Sequence, residues 1–71
     1  MNRRSQMITN RFSFNLSRQL LIKGISQREL SIQTGIPEGN ISRYINGVRL
    51  PKLDTFIIIC ETLGVKLDDM I

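Results

Sequence analysis

Apolar residues recur at helical spacing in the first part of the chain and stop at a glycine. Phe12, Leu16 and Leu20 are four residues apart, and Leu21 lies beside them in the sequence. Residues spaced by four share one face of an α-helix, so this pattern predicts a first helix with one buried side. Gly24 follows the last apolar residues, where a left-handed residue commonly ends a helix.

Two further helices are predicted on either side of a glycine-containing turn. Ser26 and Glu29 form a capping box, in which the Ser26 hydroxyl accepts the Glu29 backbone N–H and the Glu29 carboxylate accepts the Ser26 N–H. This box begins a second helix, which ends at Gly35. Pro37, whose fixed φ suits a helix start, begins a third helix that ends at the Asn-Gly pair of residues 46–47.

The remaining segments predict a fourth helix, a short final turn and an N-terminal arm. The fourth helix is marked by apolar residues at helical spacing: Leu53, Phe56, Ile57, Cys60 and Leu63. It follows a loop at residues 48–51 and ends at Gly64, and residues 65–71 have room for one or two more helical turns. Residues 1–11 are polar and basic without a helical period, so we expect a flexible basic arm ahead of a domain at residues 12–71. The predicted fold is all-α, a compact domain of four to five helices.

The charged residues are unevenly distributed along the chain, whose 71 residues have room for one domain. Residues 1–52 contain nine basic and two acidic side chains, whereas residues 53–71 contain one basic and four acidic side chains. The net charge of +4 is therefore made of a basic part of +7 and an acidic part of −3. This layout is typical of proteins that bind polyanions such as nucleic acids.

The composition excludes several kinds of chemistry. The chain has no histidine and one cysteine, Cys60, which excludes the usual zinc sites, histidine-dependent catalytic dyads and triads, and an intramolecular disulfide. The longest apolar run, residues 56–60, is too short to cross a bilayer, and residues 1–10 lack the apolar stretch of a signal peptide. We therefore expect no enzymatic activity, cofactor, metal ion, small-molecule substrate or membrane contact. A lone cysteine in an apolar run fits a cytoplasmic protein.

The second and third predicted helices have the features of a helix-turn-helix. Ser31 is small where two helices must cross closely, and Gly35 permits the turn between them. Leu30, Ile36 and Ile41 are apolar at the positions where the pair packs onto a core. These requirements are met within residues 27–44.

The chain resembles DNA-binding domains of the lambda-repressor-like, Cro/Xre type. The segments that carry the resemblance have the order and spacing of the family: residues 25–30, 34–36, 41–47, 50–51 and 63–65. The resemblance covers residues 12–71 and implies a five-helix fold whose third helix enters the major groove of double-stranded DNA.

The resemblance places four residues of the third helix at the base edges: Glu38, Gly39, Asn40 and Arg43. The Arg43 guanidinium matches guanine O6 and N7, Asn40 can bind adenine, and Glu38 can accept from a cytosine amino group. Other roles stay open. Arg43 and Asn40 can contact phosphates, and Glu38 is favoured by the helix dipole in any first turn. Gly39 has no side chain to read a base, so DNA shape can supply part of the specificity.

Phosphate contacts are expected at the rim of the motif. The resemblance implies them for the side chains of Gln27 and Asn46 and for the backbone of Gly47, and we add Arg28 and Arg49 because of their charge. Such contacts fix the register on DNA without reading its sequence, and they make binding salt-dependent. The arginines of the expected arm are candidates for further contacts with the DNA backbone or minor groove, unless the arm is only a solvated tail: Arg3, Arg4 and Arg11.

Two parts of the chain depart from the family pattern. Relatives commonly pair an arginine late in the first helix with a glutamate before the Asn-Gly, and these positions hold Leu20 and Ile45 here. Since both partners are apolar, we expect these two side chains to be in van der Waals contact. In the fourth helix, residues 57–59 are three consecutive isoleucines, which cannot all face one core because each residue turns the helix by about 100°. We expect Ile58 to be exposed and to form a homodimer interface with the last two residues, Met70 and Ile71.

The resulting interpretation is a sequence-specific, double-stranded-DNA-binding transcriptional regulator. It is expected to be a repressor of phage or plasmid type that acts as a homodimer on a palindromic operator. The alternative is a protein-interaction module of the same fold, an antitoxin or antirepressor, with weak or no sequence-specific DNA binding. The small set of base-facing side chains and the expected exposure of Ile58 keep this alternative open.

Overall fold

Four α-helices and one C-terminal 3₁₀ turn follow one another in the computed structural model, which describes residues 2–71. They are α1 (Arg3–Lys23), α2 (Gln27–Thr34), α3 (Glu38–Ile45), α4 (Leu53–Leu63) and the 3₁₀ turn Leu67–Met70. The predicted all-α class, with a helix-turn-helix made of α2 and α3, is confirmed. No helix within residues 2–71 combines the length and the apolar character needed to cross a membrane.

One core joins all of these elements. Its members are buried apolar side chains from α1 to the 3₁₀ turn: Phe12, Leu16, Leu20, Leu30, Ile36, Ile41, Tyr44, Phe56, Ile59, Cys60, Leu63 and Met70. The Phe12 ring is edge-on to Tyr44 at 6.4 Å and tilted against Phe56 at 4.8 Å between ring centroids. Such aromatic pairs add to the stabilisation from area burial. Phe12 therefore ties α1 to both α3 and α4.

The N-terminal segment differs from the expected arm, because α1 begins at Arg3 rather than near Phe12. The Asn2 side chain caps the helix by accepting the Ser5 N–H at 2.8 Å. Thr9 is 1% exposed, and its hydroxyl donates to the Ser5 carbonyl at 2.9 Å. A buried threonine thus extends the inward face of α1 by one turn, and a pattern of apolar residues alone does not reveal this.

In α1 and α4, the side that is buried differs in part from the one that the sequence pattern predicts. Leu21 is 83% exposed, because it lies about 100° around α1 from the buried Leu20. In α4, Ile59 faces the core, whereas Ile57 and Leu53 are exposed. The start and end of α4 are as predicted, so the error concerns the side chosen for burial and not the helix itself.

The C-terminal turn corrects one residue of the expected dimer interface. Met70 is fully buried in the core, where the 3₁₀ turn packs against α1 and α4. Its side chain is therefore not available to a second copy. Ile58 and Ile71 are 41% and 47% exposed, so these two predicted interface residues lie at the surface.

Leu20 and Ile45, which replace the ion pair of the relatives, pack against the same core. Leu20 is buried, and Ile45 is partly buried and packed against the same core cluster. Both also line an open cavity of about 530 Å³ between the end of α1 and the start of α2. Neither side chain is fully solvated, and their direct contact stays a prediction.

Candidate nucleic-acid interface

The start of α2 is fixed by the capping box that the sequence predicts. The Ser26 N–H donates to Glu29 Oε1 at 3.1 Å, and the Glu29 N–H donates to Ser26 Oγ at 3.0 Å. These two bonds satisfy N–H groups that have no partner within the helix. Gln27 is consequently held as the first residue of α2, half-buried, with the exposed Arg28 next to it.

The turn between α2 and α3 is held by hydroxyl groups at the end of α2. Gly35 is left-handed (φ 78°), and its N–H donates to the Ser31 carbonyl at 2.8 Å. The Thr34 hydroxyl donates to the Leu30 carbonyl at 2.7 Å and accepts the Ile36 N–H at 3.2 Å. The Ser31 hydroxyl donates to the Ile36 carbonyl. Ser31, predicted only as a small residue, therefore also fixes the chain that leads into α3.

One side of α3 presents the predicted base-facing residues at the surface. Glu38, Gly39 and Arg43 are exposed, and Asn40 is half-buried. The opposite side of the helix buries Ile41 and Tyr44 in the core, so the exposed side has one fixed orientation. Direct base contact by these four residues stays a prediction.

Arg43 and Asn40 form a hydrogen-bonded pair on this surface. Arg43 Nη1 donates to Asn40 Oδ1 at 3.0 Å. A Cβ atom on Gly39 would lie 3.9 Å from the same Nη1, an ordinary van der Waals distance. The pair leaves the Asn40 amide donors and the other guanidinium donors free, and these are the groups that recognise adenine N7 and guanine O6 and N7. The hydrogen bond thus fixes the two side chains relative to each other and leaves these donors available.

The predicted phosphate contacts at the end of α3 divide into two cases. Asn46 is exposed, and its Nδ2 donates to Ser42 Oγ at 3.4 Å, which leaves a second amide hydrogen for a phosphate. The Gly47 N–H already donates to the Tyr44 carbonyl at 3.2 Å. A Cβ on Gly47 would lie 3.6 Å from Asn10 Oδ1, so this residue faces α1. The Gly47 N–H is therefore engaged within its own turn, and a phosphate contact by this residue stays a prediction.

A polar cavity extends the basic surface from α3 to α4. It has a volume of about 240 Å³ and is lined by Asn40, Tyr44, Arg49, Lys52 and Thr55. Arg49 was predicted from its charge, and the structure adds Lys52 and Thr55 beside it. Lys52 directly precedes α4, whose first N–H groups lie at the positive end of the helix dipole. The two cations, Arg49 and Lys52, make the cavity suitable for an anionic group such as a phosphate.

The expected arm contacts change because the arm is part of a helix. Arg3, Arg4 and Arg11 are exposed on α1. An α-helix with its side chains is about 10–12 Å wide and does not fit a minor groove about 6 Å wide. These three residues therefore do not form an extended arm, and their contact with DNA stays a prediction.

The comparison with known proteins gives one match. The family model described as Helix-turn-helix matches residues 16–70, a range that includes both helices of the motif and α4. No curated protein and no solved structure matches the chain significantly. The match covers more than half of the chain, and the chain belongs to the Cro/C1-type helix-turn-helix family. The predicted resemblance is thereby confirmed, and with it the general role of a DNA-binding regulator. This family is one of DNA-binding regulatory domains and not of enzymes.

Proposed function

We propose that this member of the Cro/C1-type helix-turn-helix family is a sequence-specific transcriptional repressor of phage or plasmid type. The observation that carries the proposal is the exposed side of α3, where Arg43 is held against Asn40 by a hydrogen bond of 3.0 Å. Two side chains that already hold each other in place lose less conformational entropy when they bind a base. Non-specific DNA binding has no need of such an arrangement.

In the proposed complex, α3 lies in the major groove with its N-terminal end foremost. Arg43 binds a guanine, the Asn40 amide binds an adenine, and Glu38 accepts from a cytosine amino group. Gly39, with no side chain, allows the groove wall to approach closely. Phosphate contacts come from residues around this surface: Gln27, Arg28, Asn46, Arg49 and Lys52.

The proposed active form is a homodimer. Ile58 and Ile71 are partly exposed apolar residues in the acidic C-terminal part, and they are the residues that this dimer would bury. A two-fold axis presents two copies of α3 to successive major grooves, about 34–36 Å apart, and this predicts a palindromic operator. Repression then follows from occupation of the operator, which excludes RNA polymerase, in the cytoplasm of a bacterial cell.

Selection of bound sites from a pool of random double-stranded DNA tests the proposal. The expected result is an enriched palindrome whose half-sites are one helical turn apart, bound at least about 10³-fold more tightly than random DNA. Equal binding of all sequences would contradict it and would favour the alternative, an antitoxin or antirepressor that keeps the fold for a protein contact. An enriched site without palindromy would retain sequence reading and contradict the dimer.

A further inference from the structure

Tyr44 is a buried residue of α3 whose hydroxyl group has no hydrogen-bond partner within residues 2–71. The residue is 6% exposed, and its ring lies edge-on to Phe12 in the core. Hydroxyl groups of buried tyrosines usually have a partner. Among the described residues that are not exposed, no side-chain nitrogen or oxygen atom is both completely buried and unpaired. The Tyr44 hydroxyl therefore reaches solvent, although the rest of the side chain is enclosed.

The hydroxyl opens into the polar cavity between α3 and α4. This cavity of about 240 Å³ is lined by Tyr44 together with Asn40, Arg49, Lys52 and Thr55. Because the Tyr44 ring belongs to the core, its hydroxyl end is the part that reaches the cavity. A water molecule takes about 30 Å³ in the liquid, so the cavity has room for a phosphate group and some water.

The side chains around the cavity can donate hydrogen bonds to an anion. Arg49 and Lys52 are positively charged and have donors only, and the tyrosine hydroxyl has one hydrogen to donate. No aspartate or glutamate of the described chain lines the cavity. The nearest one in the sequence, Asp54, accepts the Thr55 N–H at 2.8 Å. The ligand that fits is therefore an anion rich in acceptors, such as a phosphate group.

The position of the cavity identifies the source of this phosphate group. Asn40, one of the predicted base-facing residues, lies one helical turn before Tyr44 and lines the same cavity. Residues four apart are neighbours on the surface of a helix. When α3 lies in the major groove, the DNA backbone that borders the groove is therefore close to the cavity. This placement favours a DNA phosphate over a free phosphate ion.

We propose that the Tyr44 hydroxyl donates a hydrogen bond to a DNA backbone phosphate, which Arg49 and Lys52 also bind. The proposal rests on the proposed function, because it takes α3 to lie in the major groove. Neither the family resemblance nor the charge pattern assigns a role to Tyr44. Its ring is held against Phe12, so the hydroxyl is a donor of fixed position, whereas the long side chains of arginine and lysine adapt. Tyr44 thereby fixes the distance between α3 and the DNA backbone.

Removal of the hydroxyl alone tests this contact. Tyr44→Phe keeps the ring that packs against Phe12 and is expected to bind the selected operator about tenfold more weakly, because a hydrogen bond to a charged group is lost. The slope of log affinity against log salt should not change, since the hydroxyl has no charge. Thermal melting checks that the fold is retained. The matched control, Thr62→Val, removes a hydroxyl that donates to the Ile58 carbonyl at 2.8 Å outside the cavity, and it should leave operator binding unchanged.

Operators with one neutral methylphosphonate in place of a backbone phosphate show whether the hydroxyl acts on the DNA directly. At the contacted phosphate, this replacement should weaken binding of the wild type more than binding of Tyr44→Phe, so that the two changes are not additive. Additive losses at every phosphate, or equal operator binding by the wild type and Tyr44→Phe, would overturn the proposal. Binding of inorganic phosphate alone at micromolar concentration, followed by NMR of the Tyr44 ring, would also overturn it, because the cavity would then be a site for a free anion.

The results distinguish failure of the proposed function from failure of this contact. Weaker binding of Tyr44→Phe to all sequences at an unchanged salt slope, without any enriched operator, would contradict the sequence reading and retain the contact. An enriched operator that the wild type and Tyr44→Phe bind equally would contradict the contact and retain the sequence reading.

Discussion

Arg43 is the residue on which the proposed reading of the DNA sequence depends most. Its guanidinium is hydrogen-bonded to Asn40 and still has free donors for a guanine. We expect Arg43→Ala to weaken binding to the selected operator by about 1–3 kcal/mol and to relax the preference at one base position in each half-site. Competition binding against operators altered at single positions measures both effects. A loss of equal size on every sequence would make Arg43 a phosphate-binding residue.

Lys52 provides the matched comparison, since it contributes the same charge from the neighbouring cavity. Lys52→Ala is expected to weaken binding to operator and random DNA alike and to reduce the slope of log affinity against log salt by about 1. Binding isotherms at several salt concentrations measure this slope. An effect confined to the operator would contradict the assignment of Lys52 to a phosphate.

The residues of this surface were predictable to different degrees. Glu38 and Arg43 could be placed at the surface because helix periodicity alone decides which side of α3 is buried. The hydrogen bond of the Gly47 N–H could not be predicted, because the direction of this N–H depends on how the chain leaves α3 beside α1. Lys52 and Thr55 were missed because their cavity forms only when α4 packs against the loop that precedes it. The periodicity of a helix predicts which of its sides is buried, whereas the neighbours of an exposed residue depend on tertiary packing.

Two glycines show how the helical elements respond differently to the same substitution. Gly39 lies inside α3 with an ordinary backbone conformation and space for a Cβ, whereas Gly35 has φ of 78° in the turn. We expect Gly39→Ala to raise the free energy of unfolding by about 0.5–1 kcal/mol through helix propensity. Gly35→Ala should lower it by about 1–2 kcal/mol, since an alanine is strained in the left-handed region. Urea denaturation of both variants measures the difference, and a change of the same sign in both would contradict this account.

The ends of the helices followed from local chemistry, except at the start of α1. Gly24 and Gly64 end their helices as predicted, because a glycine after the last apolar residue acts within a single turn. The start of α1 depends on Asn2 and on Thr9, a polar residue whose hydroxyl bonds to its own helix. Hydrophobic periodicity counts Thr9 as exposed, so a helix with a buried threonine looks shorter in the sequence than it is.

The core of the whole molecule includes Met70, although the sequence analysis predicts Met70 and Ile71 in a dimer interface. Met70 is completely buried and Ile71 is about half exposed, although they are neighbours. Met70→Ala is expected to lower the free energy of unfolding by about 2–5 kcal/mol, because it leaves a cavity in the only core of the described chain. Ile71→Ala should change it by less than about 0.5 kcal/mol. Chemical denaturation below the concentration of self-association separates these effects, and equal losses would contradict the placement of Met70.

The buried thiol of Cys60 predicts how the stability of the molecule changes with pH. Burial raises the pKa of Cys60, and the negative charge of Asp69 raises it further. The unfolded chain therefore loses the thiol proton first, at about pH 8.5. The contribution of this group to the free energy of unfolding is complete below that pH and is lost as the pH rises through the pKa of the folded state.

Cys60→Val, with similar volume, removes the ionising group and leaves all others. The wild-type free energy of unfolding should thus fall more steeply above about pH 8.5 than that of Cys60→Val, by up to about 1.4 kcal/mol per pH unit. Parallel urea titrations from pH 7 to pH 10 measure this difference, and identical slopes would show that the thiol does not titrate with unfolding.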